Sequence, residues 1–350
     1  MAQGFTPAID IYGANAALIN QRLVSWSHVD AAGIESDQLT LVLDLDGLEG
    51  LPRLEGKIGL RVGYLESGLV DKGQFVVTRR TPTLFPLRLT LVATAAPFSA
   101  ADQTGFKQRR SVSHGPTTLG ALFRELTSRH GFSPRVAPDL ALIKITHVDQ
   151  SNETDMGFLT RLARIHDAVA KPFNELYVLA RKGQAKSLSG KVLPNIQLSV
   201  TRNNRPGDHA FTSATLDETS RAKYQGCKVR WWDAAAGKVR VEESGMAPFK
   251  TVRQNYHSAE EARAAGEGEV RRMMREALKV KIDCPGHPGL AAEGLVLLDS
   301  TWPDFMRGRW SIDKVLASGS RQQSYRCSIE ATCLDARSEL GLASIDAVTR

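Results

Sequence analysis

At 350 residues, with 42% hydrophobic and 24% charged side chains, the chain has the make-up of a soluble globular protein and is long enough for two or three domains. Its net charge of +7 arises from 45 basic residues scattered among 38 acidic ones with no Lys/Arg run, so a solvated, mildly basic surface is expected and not a nucleic-acid groove. Four cysteines without framework spacing, no charged and apolar leader after Met1, and no apolar run of membrane-spanning length set aside disulfide-stapled, secreted and membrane-spanning classes and point to folding in a cytoplasm.

Residues 6 to 100 read as all-β. Val24 and Trp26 alternate with serines, Leu39, Leu41, Leu43 and Leu45 alternate with Thr40, Val42 and Asp44, and Ile58 to Val62 forms a third strand. Gly73-Gln74-Phe75-Val76-Val77 opens a fourth, and Leu87, Leu89 and Leu91 mark a fifth. Short strands punctuated by Gly, Pro and Asp suggest a small barrel or sandwich. Residues 101 to 115, with Lys107, Arg109 and Arg110, read as a polar linker.

The middle of the chain reads helix, strand, helix. Leu119, Leu122, Phe123 and Leu126 share one helical face behind a threonine cap, and Gly131 is the stop. Residues 143 to 148 are β-branched and predict a short strand. A second helix starts at Thr154 or Asn152 and buries Phe158, Leu159, Leu162 and Ile165. Asp155 lies near its N-terminus and Arg161 and Arg164 toward its C-terminus, as the helix dipole favours.

Thr118-Leu119-Gly120, Arg129-His130-Gly131, His147-Val148-Asp149-Gln150, Asp155-Met156-Gly157-Phe158-Leu159 and Arg161-Leu162-Ala163, in that order, resemble the middle of the phage late-control protein D family. The start of the chain, Ile34-Glu35-Ser36-Asp37 before a Leu-rich strand and Gly56 before a strand ending Gly63-Tyr64, resembles it too. Members of that family are baseplate hub proteins of contractile phage tails, related in fold to the N-terminal part of type VI secretion VgrG spike proteins. The resemblance implies a homotrimer with a central channel, bound by a central spike protein, a tail tube protein and baseplate wedge proteins. It also implies assembly in the host bacterial cytoplasm, and a place in the virion tail baseplate or in a tail-derived particle. The chain ends soon after Ser338, so the spike is expected to be a separate chain.

Leu176 to Leu179 predicts a strand, and residues 182 to 195 a turn at a boundary. A second β arm begins near Ile196. Cys227, Val229 and Trp231 alternate in one strand. A long helix at 258–279 starts in the capping box Ser258-Ala259-Glu260-Glu261 and carries Val270, Met273, Met274, Ala277 and Leu278 as its apolar stripe, with Gly266 and Gly268 weakening its middle. Strands at 294–298, 308–315 and 324–332 close the arm. The ends of the two arms echo each other: Gly73-Gln74-Phe75-Val76-Val77 is answered by Gly308-Arg309-Trp310-Ser311-Ile312. Each follows a strand opened by a glycine, Gly56 or Gly294, and precedes an alternating strand, Leu87/Leu89/Leu91 or Tyr325/Cys327/Ile329.

The expected fold class is therefore α+β, mainly β: two similar small, tail-tube-like β-barrels, at 1–100 and 191–340, with an inserted α/β domain at 101–190 and a tail at 341–350. No residue pattern assembles an active site, and no cofactor or metal is expected. Cys284-Pro285-Gly286-His287 has the first half of a zinc spacing but no second pair, and reads as a turn with a buried thiol. Gly266-Glu267-Gly268 lacks the third glycine of a dinucleotide fingerprint, and Asp44-Leu45-Asp46-Gly47 breaks the calcium-loop pattern at Leu48. Glu242-Glu243 and Glu260-Glu261 are adjacent in sequence, which does not set two carboxylates across a substrate. His147 and His166 read as packed or surface histidines. Arg271, Arg272, Arg275, Lys279 and Lys281 give the long helix a basic end, read as a solvated face or protein contact over a DNA contact. A DNA-binding late-gene regulator and a tail-associated cell-wall hydrolase are the alternatives to a structural hub subunit.

Overall fold

The apolar alternation of both arms builds one sheet. The computed structural model describes residues 6–32, 36–48, 50–51, 54–95, 105, 108–173, 176–182, 195–218, 224–321 and 324–334, and within them a 12-stranded sheet dominates. Its strands are numbered here along the chain: β1 (Pro7–Gly13), β2 (Leu23–Ala31), β3 (Gln38–Asp44), β4 (Lys57–Tyr64), β5 (Gly68–Thr83), β6 (Arg88–Thr94), β7 (Ile196–Leu198), β8 (Ser213–Glu218), β9 (Leu278–Pro285), β10 (Leu295–Leu298), β11 (Gly308–Ser320) and β12 (Ser324–Cys333).

The first half runs β1-β4-β5-β6-β3-β2 and the second β7-β10-β11-β12-β9-β8, which is the same order position for position. The likeness extends to irregularities. The β5–β6 register shifts between Val77 and Arg79, and the β11–β12 register between Ile312 and Lys314. Just past that point Val77 N donates to Gly56 O (3.0 Å) and Ile312 N to Gly294 O (2.9 Å). The residues before those glycines, Glu55 and Glu293, are both left-handed, at φ 66° and 67°. They donate to Val77 O (2.9 Å) and Ile312 O (2.8 Å) respectively. A non-glycine residue in that region is uncommon, so its presence at both equivalent positions turns the weak sequence echo into a structural repeat. The halves differ at their outer pair: β1 is antiparallel to β4, whereas β7 is parallel to β10.

The mainly β, α+β reading holds, but neither half closes into a barrel among the described residues. The strand that would have to meet β1 to close the first half is β2, and its second edge is taken by β11, antiparallel from Ser25–Ser320 to Ala31–Lys314. The two halves consequently share a core, in which Leu41, Leu60, Phe75 and Leu91 pack in one cluster with Ile282, Val296, Trp310 and Ile329. Side chains of the first half also reach backbone of the second: Tyr64 Oη donates to Gly286 O (2.7 Å), Lys72 Nζ to Leu290 O (2.9 Å), and Asp30 Oδ2 accepts from Ala292 N (3.0 Å).

Between the halves, the helices Leu119–Arg129 and Asp155–Ile165 start where the caps indicated. Thr118 Oγ1 accepts from Ala121 N at 3.2 Å and Thr154 Oγ1 from Gly157 N at 3.1 Å. They bury Leu122, Phe123, Leu126, Phe158, Leu159 and Leu162 against Tyr177 and Leu179 of a three-stranded sheet (Ser133–Val136, Ala168–Phe173, Leu176–Arg181) as a second core. The strand expected at 143–148 is instead two, Lys144–Ile145 and Val148–Thr154, because Thr146 N turns away to donate to Glu261 Oε1 (2.5 Å). The expected linker contains a strand, Arg109–His114, paired with Val148–Thr154. The fourth strand begins at Gly68, ahead of Gly73. Ile34, Glu35, Lys107, the 183–194 part of the expected turn and the tail after 334 lie outside the described residues.

Inserted between β8 and β9 are three strands (Gly226–Asp233, Lys238–Gly245, Phe249–Tyr256) covered by the long helix Ala259–Glu276, whose Ser258 cap accepts from Glu261 N at 3.2 Å. The apolar stripe expected there holds in part, since Val270 and Met273 pack against Cys227, Val229 and Ala262. The helix buries Ala262, Ala265, Gly266 and Gly268, Met274 is exposed, and Leu278 belongs to β9. The glycines are close-approach positions: a Cβ on Gly266 would collide with the Ser244 side chain, and one on Gly268 with the carbonyl oxygen of Ile165.

In an exposed helix a Gly→Ala change gains about 1 kcal/mol. Gly268→Ala is expected to lose about 1–3 kcal/mol, because backbone must move to admit the methyl. Urea unfolding of the variant decides it, and a stabilised Gly268→Ala protein would contradict the packing described.

Candidate functional site

The zinc-like spacing is used up in local structure. Cys284 is buried on β9 opposite Cys327 of β12, and burial pushes its thiol up. His287 Nδ1 accepts from Gly289 N at 3.1 Å within the turn that follows, and burial pulls that imidazole down. Asp44 Oδ1 likewise closes its own turn on Asp46 N (3.0 Å). Among the described residues no group of three or more His, Cys, Asp or Glu side chains is placed to hold a metal ion, and no helix is long and apolar enough to cross a membrane.

The carboxylates are held by their own neighbours. Glu243 pairs with Lys228 (2.7 Å) and Glu242 with Arg263 (3.7 Å). Glu260 faces Lys144 (3.5 Å), and Glu261 accepts from Thr146 N and His257 N, docking the long helix on the inserted domain. Asp155, only 1% exposed, accepts from Gln150 Nε2 (2.8 Å) and has His130 Nε2 at 2.8 Å, Arg129 at 3.3 Å and Arg110 at 3.8 Å. Burial alone would raise its carboxyl, but the bonds from Gln150 and His130 and the two guanidinium groups outweigh it and hold it low.

His166 is buried at the end of its helix and pulled down to about 4 by burial, so it is neutral. His147 is half-exposed, with Nε2 3.2 Å from Asp149 Oδ1 and its ring edge-on to His257 at 5.3 Å. An imidazole oriented by a carboxylate is half of a proton relay. The cleft it lines, about 240 Å³, is below the roughly 300–1,000 Å³ of small-molecule sites.

The basic helix end is only partly internal: Arg271, Lys279 and Lys281 are exposed, Arg272 is half-buried and Arg275 is buried. Arg275 is buried and paired with Asp167, Arg272 pairs with Glu269 (2.6 Å), and Arg271 lies 3.9 Å from Glu267. Arg272 and Arg275 are thus engaged in fastening the helix and are not presented to an outside partner.

Sequence reasoning missed a buried charged cluster, which sits where both halves and the insertion meet. Lys171 reaches from Ala168–Phe173 to donate to Asp37 Oδ1 (2.6 Å) and Ala31 O (2.7 Å). Burial pushes Asp37 to about 6 and Glu293 to about 7, with Asp30 adding to both and Lys171 opposing. Burial takes His28 down to about 4. Lys171 itself is held above its ordinary value: burial lowers it, but Asp37, Asp30 and Glu293 prevail. A lysine inside the apolar run Ala168-Val169-Ala170-Lys171-Pro172-Phe173 was the available signal. Enclosed as it is, the cluster ties the inserted domain to the first half.

Several large apolar side chains stand in solvent. Leu84 and Phe85, at the β5–β6 turn, are 74% and 93% exposed. On the outer face of the small sheet Trp232 faces Val239 across the strands, beside Val241. Neighbouring exposed apolar side chains are candidates for contacts with other proteins.

Lys171→Met is expected to cost about 3–5 kcal/mol at neutral pH, since it leaves buried carboxylates without their cation, and less in mild acid, where they protonate. Glu293 binds its proton more tightly folded than unfolded, so stability falls as pH rises from about 4.5 to about 7. Glu293→Gln should flatten that slope and be neutral or stabilising above it. Denaturant titrations across pH test both, and an unchanged slope in Glu293→Gln would refute the assignment.

No protein-family model matches the chain. Over 216 residues it is 37% identical to the probable baseplate hub protein of Escherichia phage P2, and over 214 residues 34% identical to that of Escherichia phage 186. Each match takes in 61% of this chain and 52% of the relative, so the chain spans about half the length of the curated relatives it matches. Its fold is shared with the 43 kDa tail protein of prophage MuSo2 from Shewanella oneidensis, at TM-score 0.63 and 13% identity, over 93% of this chain and 98% of that one. It is shared also with an Escherichia coli type VI secretion component described as structurally similar to T4 phage tail proteins, at TM-score 0.53 and 10% identity, over 95% and 76%. The chain is a relative of phage baseplate hub proteins over the part that it shares with them, built on a fold found in phage tails and in type VI secretion.

Proposed function

We propose that this chain is a structural subunit of the baseplate hub of a contractile tail, in a phage or a tail-derived particle, and that it is not an enzyme. Three copies form a ring around a central channel. One face of the ring meets the threefold spike and the other the sixfold tail tube, with baseplate wedge proteins around it. The halves 1–100 and 191–340 build the ring, and the inserted domain 101–190 stands outside it. Assembly takes place in the host bacterial cytoplasm.

The observation that carries this reading is the repeat. Two half-sheets of one strand order, with matching bulges and matching left-handed glutamates, lie in one chain. Three such chains supply six similar modules around a threefold axis, and cyclic symmetry then fits one face to a threefold and the other to a sixfold partner. The exposed apolar side chains suit a protein that works by contact, and the internal pairing of Arg271, Arg272 and Arg275 weighs against a DNA-binding regulator.

Native mass measurement of the purified chain, alone and with the spike and tube proteins of the same tail, should give trimers and their complexes. A monomer that ignores both partners overturns the reading. A peptidoglycan zymogram is expected to stay blank, and a low-salt gel shift to show no retarded DNA.

A further inference from the structure

The repeat has one seam filled and its equivalent open. Inside the chain, β2 lies along β11, with Trp26 opposite Gly319, Ser27 opposite Ser318, His28 opposite Ala317 and Asp30 opposite Val315. The equivalent of β2 is β8, and the equivalent of β11 is β5. Among the described residues β8 pairs with β9 alone, at one end of the sheet path. The β4 pairing of β5 ends at Val76, so among the described residues the strand ladder of β5 from Arg79 to Thr83 is with β6.

Exposure separates the two seams. Tyr325 on β12 is 5% exposed and packs against Trp26 across the filled seam, ring centroids 5.5 Å apart. Its equivalent on the β6 side, Leu87, is 43% exposed. Val315 and Ala317 are buried in the filled seam, whereas Arg80 and Pro82, at the same positions of β5, are exposed.

We infer that β8 of one copy adds to the β5 edge of the next, antiparallel and in the register of the internal β2–β11 seam. This rests on the ring proposed above and names its subunit contact. The residues that follow the two bulges, Arg79 and Lys314, are equivalent. Trp26, which pairs with Leu41, is equivalent to Ala214, which pairs with Ile282. The register then sets Thr215 opposite Thr83, Leu216 opposite Pro82, Asp217 opposite Thr81 and Glu218 opposite Arg80, and brings Ala214 to Leu84.

The chemistry agrees on both faces. Ala214 and Leu216, which already pack against the shared core, meet Leu84 and Pro82. The acidic end of β8 meets the basic Arg79-Arg80 stretch of β5. Pro82 has no N–H, so at that position the seam makes at most its carbonyl bond. The contact uses different surfaces on the two copies, and such contacts close into rings.

A double variant, Thr215→Cys with Thr83→Cys, tests the register in the full chain under a mild oxidant. The four native cysteines are buried and give little background. Disulfide-linked trimers are expected from this pair. None are expected from Thr215→Cys with Arg79→Cys, whose thiols the register sets about 13 Å apart, too far for a disulfide. Leu84→Asp, at a site exposed in the single chain, should weaken the trimer by about tenfold or more and leave the melting of the monomer unchanged. A native-mass trimer that cross-links out of register, or not at all, overturns the seam and leaves the ring. A chain that stays monomeric throughout overturns both.

Discussion

The free edge of β2 decides the architecture. A strand's second row of amides and carbonyls has to be paired, covered or left to water. In the first half that row could have gone to β1, closing a barrel. It goes to β11, and from that pairing follow the continuous sheet, the common core and the side-chain ties of Tyr64, Lys72 and Asp30 to backbone of the second half. Two modules that might have been beads on a string become one body, held at a fixed angle by a ladder and not by a linker. The same choice leaves β8, at the matching place in the second half, without that neighbour among the described residues.

The insertions are anchored by charge and by close backbone approach, more than by extended apolar faces. Lys171 carries an ammonium group into the corner where Asp30, Asp37 and Glu293 meet, and Arg275 does the same for Asp167. Buried pairs of this kind add little net stability because desolvation offsets attraction. They do penalise every arrangement in which one partner is buried alone. Gly266 and Gly268 work in the same sense, letting the long helix touch Ser244 on one side and the end of the helix Asp155–Ile165 on the other. Orientation of the inserted domain is thereby specified at a few points, as the structural role proposed above would require.

Where one face of an element is strongly buried, the sequence is explicit. Leu39, Leu41 and Leu43, the threonine caps at Thr118 and Thr154, and Ser258 all announce structure that is there. β8 was not legible: Ser-Ala-Thr-Leu-Asp-Glu is half-polar because one of its edges and much of its surface face solvent in the single chain. The small sheet beside the long helix was read as part of the arm, since alternation in Cys227, Val229 and Trp231 says that a face is buried but not against what. The long helix was legible only in part: Val270 and Met273 pack where expected, but its fully buried positions are mostly alanine and glycine, which a search for large apolar residues passes over. At the level of a site, the histidines, the paired glutamates and the Cys-x-x-His spacing were visible as residue types. Their neighbours came from distant parts of the chain, Lys171 with Asp37 above all, and no local pattern carries that.

The halves repeat each other in strand order but not in dress. β1 runs against β4 whereas β7 runs with β10, and only the second half carries a three-stranded sheet and an 18-residue helix between its second and third strands. A ladder constrains the strands that form it and leaves connections free to diverge. In a ring of three chains, the seams would therefore approach sixfold symmetry while the loops and insertions stayed threefold. In such a ring, a partner that reads strand edges would see six near-equal places, and one that reads insertions would see three. One chain would then offer two symmetries without changing shape, because each symmetry would be written in a different layer of the same fold.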